Sequence, residues 1–215
     1  MKGAIFDMDG LLLDSERLFQ VGWHMLADKY GVELGDRFSG EIIGCGEVQA
    51  AGVLSRYFPG TVPQDLIEEC KAKVAELEET QLELKKGVRE ILAGLKSAGF
   101  RLAVASSSPL TMIRKNLGRM EVLDFFDVLL SGEEVTRGKP NPDIFLLAAE
   151  RLGLEPESCY VFEDSLNGIR AAHAANCRAV MIPDQVAPTD EIRTMCDVYP
   201  DLIAAWDDLS GRDFV

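Results

Sequence analysis

Acidic, hydroxyl and ammonium side chains follow short apolar runs at several separate places in this chain. The groups concerned are Asp7 and Asp9 after the run 3–6, Ser106 after 101–105, Lys139 shortly after 128–130, and Glu163 and Asp164 after 159–162. Carboxylates that meet repel one another and need a hard cation such as Mg²⁺, which accepts oxygen ligands and a substrate phosphate. A hydroxyl and an ammonium bind the remaining phosphate oxygens. The combination predicts phosphoryl transfer.

The positions of Asp7 and Asp9 predict two different roles for these side chains in phosphoryl transfer. A carboxylate can attack phosphorus and form an acyl phosphate, which splits one difficult displacement into two easier steps. Asp7, at the end of its strand, suits this role. Asp9 lies on the turn opened by Gly10, where it can protonate a leaving alkoxide and later deprotonate water.

Each of these features also has an ordinary structural interpretation. Asp-x-Asp-Gly occurs in simple turns and in calcium-loop fragments, the serines 106–108 before Pro109 could only cap a helix, and Glu163 with Asp164 could do the same for the helix that follows. Gly138-Lys139-Pro140 resembles the end of a nucleotide-binding P-loop. We exclude a P-loop because Pro140 stands where the motif requires Ser or Thr.

The elements that must position these side chains alternate between strands and helices. Apolar runs at 3–6, 101–105, 128–130, 159–162 and 179–182 predict strands, and helical patterns occupy 88–97, 110–118, 142–152 and 166–175. This alternation predicts an α/β fold with a parallel sheet covered by helices on both faces. Ligands bind beyond the carboxyl ends of such strands, where the candidate residues lie.

Residues 15–84 follow a different pattern. Apolar positions recur at helical spacing, with breaks near 31–35, 44–46 and 58–60, and no segment predicts a strand. We expect three or four helices in a small bundle. The predicted organisation is a core made of residues 1–14 and 85–215, with residues 15–84 inserted as a helical cap.

Composition limits the partners. Lysine and arginine number 22 against 36 acidic residues, and the net charge of −14 argues against nucleic acid and anionic membranes. A small phosphorylated metabolite is still possible where a cation reverses the local field. The 5 cysteines include no C-x-x-C pair, and no apolar run reaches the length of a membrane span. We expect a cytoplasmic protein and a monomer.

Four motifs, in order, resemble the signatures of the haloacid dehalogenase superfamily. They are Asp7-Met8-Asp9-Gly10, Ser106, Lys139-Pro140-Asn141-Pro142 and Glu163-Asp164-Ser165-Leu166-Asn167-Gly168-Ile169. The segment 11–16, followed by a helical insertion, is similar to the branch that contains β-phosphoglucomutase and small sugar-phosphate phosphatases.

The resemblance implies a Rossmann-like core, a helical cap and Mg²⁺-dependent chemistry through an aspartyl-phosphate. It implies that Asp7 is nucleophile and metal ligand, and that Asp9 is general acid/base and binds the metal through its backbone carbonyl. Ser106, Ser107 and Lys139 would bind phosphate, and Asp164 with Glu163 would hold Mg²⁺.

Within this family the sequence favours hydrolysis of a phosphate ester. Dehalogenases expel halide and typically lack Asp at the position of Asp9. Mutases of the branch carry a His ten residues after the general acid, where this chain has Phe19, and an Arg in the cap loop near Glu47. A phosphatase acting on a sugar phosphate is therefore the first hypothesis, and a β-phosphoglucomutase the second. A non-catalytic phospho-aspartate switch is the alternative of another class, although Asp9 would shorten the life of its acyl phosphate.

Several cap residues are candidates for substrate contact. Glu16, Phe19 and Trp23 lie at helical spacings of three or four, so one face of their helix could present them to the substrate. Glu47 and Lys73 complete the candidate set. Packing in the cap core is the alternative for Phe19 and Trp23, and an exposed helix lysine is the alternative for Lys73.

Overall fold

The fold contains a six-stranded parallel sheet. The computed structural model describes residues 1–43 and 47–211. The strands are β1 (Gly3–Phe6), β2 (Arg101–Ser106), β3 (Val128–Ser131), β4 (Cys159–Glu163), β5 (Arg178–Met181) and β6 (Cys196–Val198), in the order β3-β2-β1-β4-β5-β6. Every neighbouring pair is parallel. The expected α/β class with a parallel sheet is confirmed.

Helices connect the strands and cover the sheet. They are α5 (Val88–Ser97), α6 (Leu110–Arg119), α7 (Asp143–Leu152), α8 (Leu166–Ala174), the one-turn α9 (Asp190–Arg193) and α10 (Leu202–Gly211). Central strands buried on both faces are nearly continuous apolar runs, as parallel sheets require. Ile5 and Val161 pack with Phe145 and Ile169 in one core cluster, and the rings of Phe6 and Phe162 stack at 4.6 Å.

Four further helices lie between β1 and α5, and the described residues of this stretch contain no strand. They are α1 (Ser15–Tyr30), α2 (Phe38–Ile42), α3 (Glu47–Tyr57) and α4 (Pro63–Gln81). Gly22 lets α1 approach α4, because a Cβ at that position would lie 3.1 Å from Val74 Cγ2 and 3.2 Å from the Cys70 sulfur. The predicted break at 44–46 lies outside the described residues.

The chain divides into two compact units. One consists of Met1–Leu13 and Leu84–Val215, and the other of Asp14–Glu83. Each division falls one residue before the position expected from the sequence. Among the described helices, none combines the length and the apolar content needed to cross a bilayer.

The register of the sheet places the functional motifs. Phe6, the last residue of the central strand β1, is level with Val104 in β2 and with Phe162 in β4. The Asp7 amide donates a hydrogen bond to the Phe162 carbonyl at 3.0 Å, so pairing continues to the strand end. Residues that follow β1, β2 and β4 therefore emerge side by side, at the point where the chain order of the strands reverses.

Candidate active site

Asp7, Lys139 and Glu163 form a buried charge cluster beyond the strand ends. The Lys139 ammonium donates to Asp7 Oδ1 and to Glu163 Oε1, each at 2.5 Å, and to the Ala105 carbonyl at 3.2 Å. The lysine side chain is 9% exposed, and its ammonium lies 5.0 Å from the centre of the Phe145 ring. One cation thus joins the residue that follows β1 to residues of β2 and β4.

The charges of this cluster are unbalanced. The pKa of Asp7 is raised to about 7, because burial and the charges of Glu163 and Asp9 raise it more than Lys139 lowers it. Burial alone would lower the pKa of Lys139, but the charges of Asp7 and Glu163 raise it above its ordinary value. One ammonium faces several carboxylates, so the cluster favours a further positive charge.

Asp9 is held by the serines that follow β2. Ser108 Oγ donates to Asp9 Oδ2 at 2.7 Å, and Ser106 Oγ lies 3.4 Å from the same oxygen. The Ser108 amide donates to Ser106 Oγ at 3.1 Å. The alternative that these serines cap the next helix is not what the structure shows, because α6 begins after Pro109 without a side-chain capping bond. The Ser107 side chain is exposed.

Glu163 is fixed by the start of α8. Its Oε2 accepts hydrogen bonds from the amide and the hydroxyl of Ser165, both at 2.9 Å, and Ser165 also caps the helix by accepting from the Gly168 amide. A Cβ at Gly168 would overlap the Glu163 carboxylate. Glycine is therefore required at 168, and both oxygens of Glu163 already have partners within the protein.

Asp164 lies against the turn after Asp9. Gly10 has a φ of 77°, which favours glycine, and a Cβ there would overlap the Asp164 carboxylate. The same Cβ would lie 3.4 Å from Oδ2 of Asp184. The carboxylates of Asp164 and Asp184 therefore both lie beside the position that a side chain at residue 10 would occupy.

Known proteins resemble this chain over nearly its whole length. The profile of haloacid dehalogenase-like hydrolases matches residues 4–182. Hexitol phosphatase B of Escherichia coli K12 is 33% identical, across 99% of this chain and 96% of that protein. A phosphorylated carbohydrates phosphatase of Thermotoga maritima is 36% identical across 84% of each. The chain belongs to the haloacid dehalogenase-like hydrolase family.

A solved structure agrees with this assignment. A candidate β-phosphoglucomutase from Thermotoga maritima superimposes with a TM-score of 0.83 at 27% identity, covering 99% of this chain and 100% of that one. The resemblance predicted from the four motifs is confirmed. The hydrolase is an enzyme of the phosphatase type, the class of its curated relatives.

The oxygen groups of this hydrolase fit Mg²⁺. Among the residues that the structure describes, no three acidic, histidine or cysteine side chains converge closely enough to hold a metal unaided. Mg²⁺ does not require three such side chains, because it usually keeps several waters and binds through one or two carboxylates plus substrate phosphate. Asp7 and Asp164 supply carboxylates, and the excess negative charge around Lys139 favours a cation.

The cap candidates of the hydrolase have different environments. Trp23 is buried against Phe38 and Phe58, which is the packing alternative considered from the sequence, so we leave it out of the substrate-contact set. Lys73 pairs with Glu76 at 2.6 Å along α4. Glu16 and Phe19 are half-buried on α1, and the side chain of Glu47 lies outside the description.

The sequence analysis missed two residues of this region, Ser108 and Asp184. Ser108 belongs to the run 106–108, but only the first two serines were chosen as phosphate ligands. Asp184 stands two residues after the predicted strand 179–182. The rule that ligands bind beyond the carboxyl ends of parallel strands would have selected it, had it been applied to β5 as well.

Proposed function

We propose that this hydrolase removes phosphate from a small phosphorylated sugar or sugar alcohol, in a Mg²⁺-dependent reaction through an aspartyl-phosphate on Asp7. The observation that carries the proposal is the buried ammonium of Lys139, 2.5 Å from both Asp7 and Glu163, beside an Asp9 held by serines. The names of hexitol phosphatase B and of the phosphorylated carbohydrates phosphatase support the substrate class.

Asp7 is the proposed nucleophile. Lys139 occupies Oδ1, so Oδ2 is the oxygen we expect to attack phosphorus. A bond forms between this oxygen and phosphorus while the bond from phosphorus to the ester oxygen breaks. Water then attacks phosphorus, the Asp7 carboxylate leaves, and inorganic phosphate is released.

Asp9 is the proposed general acid and base. It gives a proton to the departing alkoxide in the first step and takes a proton from water in the second. Ser108 and Ser106 donate to Oδ2 of Asp9. The serines therefore orient the carboxyl group.

Lys139 and Ser106 are the proposed phosphate ligands of the protein, with Ser107 contributing from the same turn. Lys139 neutralises charge on the transferring phosphoryl group. Glu163 keeps the lysine in place, because it accepts one of its hydrogen bonds and is itself anchored to Ser165. We assign Glu163 to this positioning role and not to the metal.

Asp7, Asp164 and the backbone carbonyl of Asp9 are the residues we propose to hold Mg²⁺. The cation would neutralise negative charge on the phosphoryl oxygens, so that an anionic nucleophile can approach them. Its binding also favours the ionised form of Asp7, whose pKa is raised to about 7, chiefly by burial.

The helical unit Asp14–Glu83 is the proposed cap that selects the substrate. Closure of a cap excludes water and brings additional residues to the leaving group. Glu16 and Phe19 are the cap residues we would substitute first.

Phosphate release from a panel of phosphorylated sugars and hexitols, with Mg²⁺ and with EDTA, tests the proposal. We expect multiple turnovers with Mg²⁺, loss of at least 1,000-fold of the rate in Asp7→Asn, and near-parental rates in the exposed surface control Asp190→Asn. An acid-quenched single turnover with radiolabelled phosphate ester should leave labelled protein only when Asp7 is present.

Three results would contradict this function. Asp7→Asn with near-normal turnover would remove Asp7 as nucleophile. Glucose 6-phosphate formed from β-glucose 1-phosphate and a bisphosphate primer would identify a mutase. One phosphorylation event without turnover would point to a switch.

A further inference from the structure

Asp184 carries a buried carboxylate oxygen that lacks a partner among the described residues. Its Oδ1 accepts a hydrogen bond from the Lys85 ammonium at 2.7 Å, whereas Oδ2 is fully buried and receives no hydrogen bond from residues 1–43 or 47–211. The Asp184 side chain is 7% exposed. Burying this oxygen without a donor lowers the stability of the fold, since the oxygen loses the hydrogen bonds that it would accept from water.

The position of this oxygen indicates what it faces. A Cβ built on Gly10 would lie 3.4 Å from Asp184 Oδ2 and 3.0 Å from Asp164 Cγ. The unpaired oxygen therefore lies on the same side of the Gly10 turn as Asp164, one of the proposed metal ligands. The Lys85 ion pair does not require this arrangement, because it uses only the other oxygen.

We propose that Asp184 is a positioning residue of the Mg²⁺ site, in which Lys85 fixes Oδ1 and Oδ2 accepts a hydrogen bond from a water in the hydration shell of the cation. This inference rests on the proposed function. Mg²⁺ keeps several waters when it binds to proteins, and each such water is a hydrogen-bond donor. Outer partners of this kind orient the first ligands and increase metal affinity.

The isosteric variant Asp184→Asn tests the oxygen itself. An amide has only one acceptor, which Lys85 retains, so the NH₂ group would turn towards the pocket and present a donor in place of an acceptor. We expect the Mg²⁺ dissociation constant, measured by isothermal titration calorimetry, to rise about tenfold or more. The concentration of Mg²⁺ required to raise the melting temperature should increase in parallel.

Asp201→Asn is the matched control. Asp201 pairs with Lys86 at 2.6 Å in a more exposed ion pair, so this substitution removes the same charge beside the neighbouring lysine. We expect its Mg²⁺ affinity to stay within twofold of the parent. Melting temperatures in EDTA show whether both variants fold.

The outcomes separate this inference from the proposed function. A parent that binds Mg²⁺, an Asp164→Asn variant that does not, and an Asp184→Asn variant within twofold of the parent would overturn the role of Asp184 alone. Equal losses in Asp184→Asn and Asp201→Asn would also overturn it, because they would reflect general charge. A parent that binds no Mg²⁺ would overturn both proposals.

Discussion

Replacing Lys139 by methionine tests the charge cluster at the centre of the site. The substitution keeps most of the buried stem but removes the ammonium that lies 2.5 Å from Asp7 and from Glu163. Removing one partner of a buried ion pair costs about 3–5 kcal/mol, because the other charge stays buried. For a protein of this size, this loss lowers the melting temperature by about 6–20 °C.

The destabilisation of Lys139→Met should depend on pH. The pKa of Asp7 is about 7 with Lys139 present and lowering it, so the variant should have a still higher Asp7 pKa. A carboxyl group with a raised folded-state pKa stabilises the fold at low pH, and this contribution disappears as pH rises through the folded-state pKa. The loss relative to the parent should therefore be larger at pH 8 than at pH 5.5.

The assay uses metal-free protein in EDTA and follows urea and thermal unfolding by circular dichroism. The parent and Lys139→Met can both also carry Trp23→Phe. The remaining tryptophan, Trp206, packs against Gly94 in the core unit, so its fluorescence then reports the unfolding of that unit. Adding Glu163→Gln to Lys139→Met should recover part of the loss, since one unpaired carboxylate disappears.

Lys96→Met provides the matched control for this prediction. Lys96 contacts Asp127 at 3.0 Å, but both side chains are about one-third exposed, so we expect a loss of at most about 1 kcal/mol. A Lys139→Met variant within about 1 kcal/mol of the parent at pH 8, or one whose deficit does not change with pH, would refute the reasoning.

Three further substitutions test other parts of the site. Gly168→Ala should displace the Glu163 carboxylate, which a Cβ at 168 would overlap, with a loss of about 1–3 kcal/mol in urea unfolding. Ser108→Ala should lower kcat about tenfold or more with little change in KM, because the 2.7 Å hydrogen bond to Asp9 disappears. In EDTA, we expect Asp7→Asn to be more stable than the parent. Thermal melts should show this difference growing from about pH 4 to about pH 7, because over this range the parent loses the stability that protonated Asp7 contributes, whereas asparagine does not titrate.

A specific result would contradict each of these three predictions. Gly52→Ala is the glycine control, since no described residue lies within 4 Å of a Cβ in this exposed part of α3, and it should stabilise the fold by about 0.5–1 kcal/mol. Equal behaviour of the two glycine variants would contradict the overlap at 168. A Ser108→Ala enzyme with parental kcat, or an Asp7→Asn advantage that does not change with pH, would contradict the other two.

Much of the fold follows from local patterns. The helix Val88–Ser97 and the strand Gly3–Phe6 begin and end where the apolar periodicity predicts. β6 and α10 were not predicted. β6 has only three residues, and it lies at the edge of the sheet with Asp197 exposed, so neither a buried run nor a clear alternation marks it.

The chemical groups at the strand ends can be predicted from the sequence, because buried parallel strands are continuous apolar runs and the residues after them emerge at one edge of the sheet. How those groups pair with one another is visible in the three-dimensional structure and not in the sequence. Lys139 lies between Asp7 and Glu163, Ser108 contacts Asp9, and one oxygen of Asp184 is buried with no donor in the part of the chain that the structure describes. These pairings depend on distances between segments remote in sequence, which sheet order and packing set and local residue patterns do not encode.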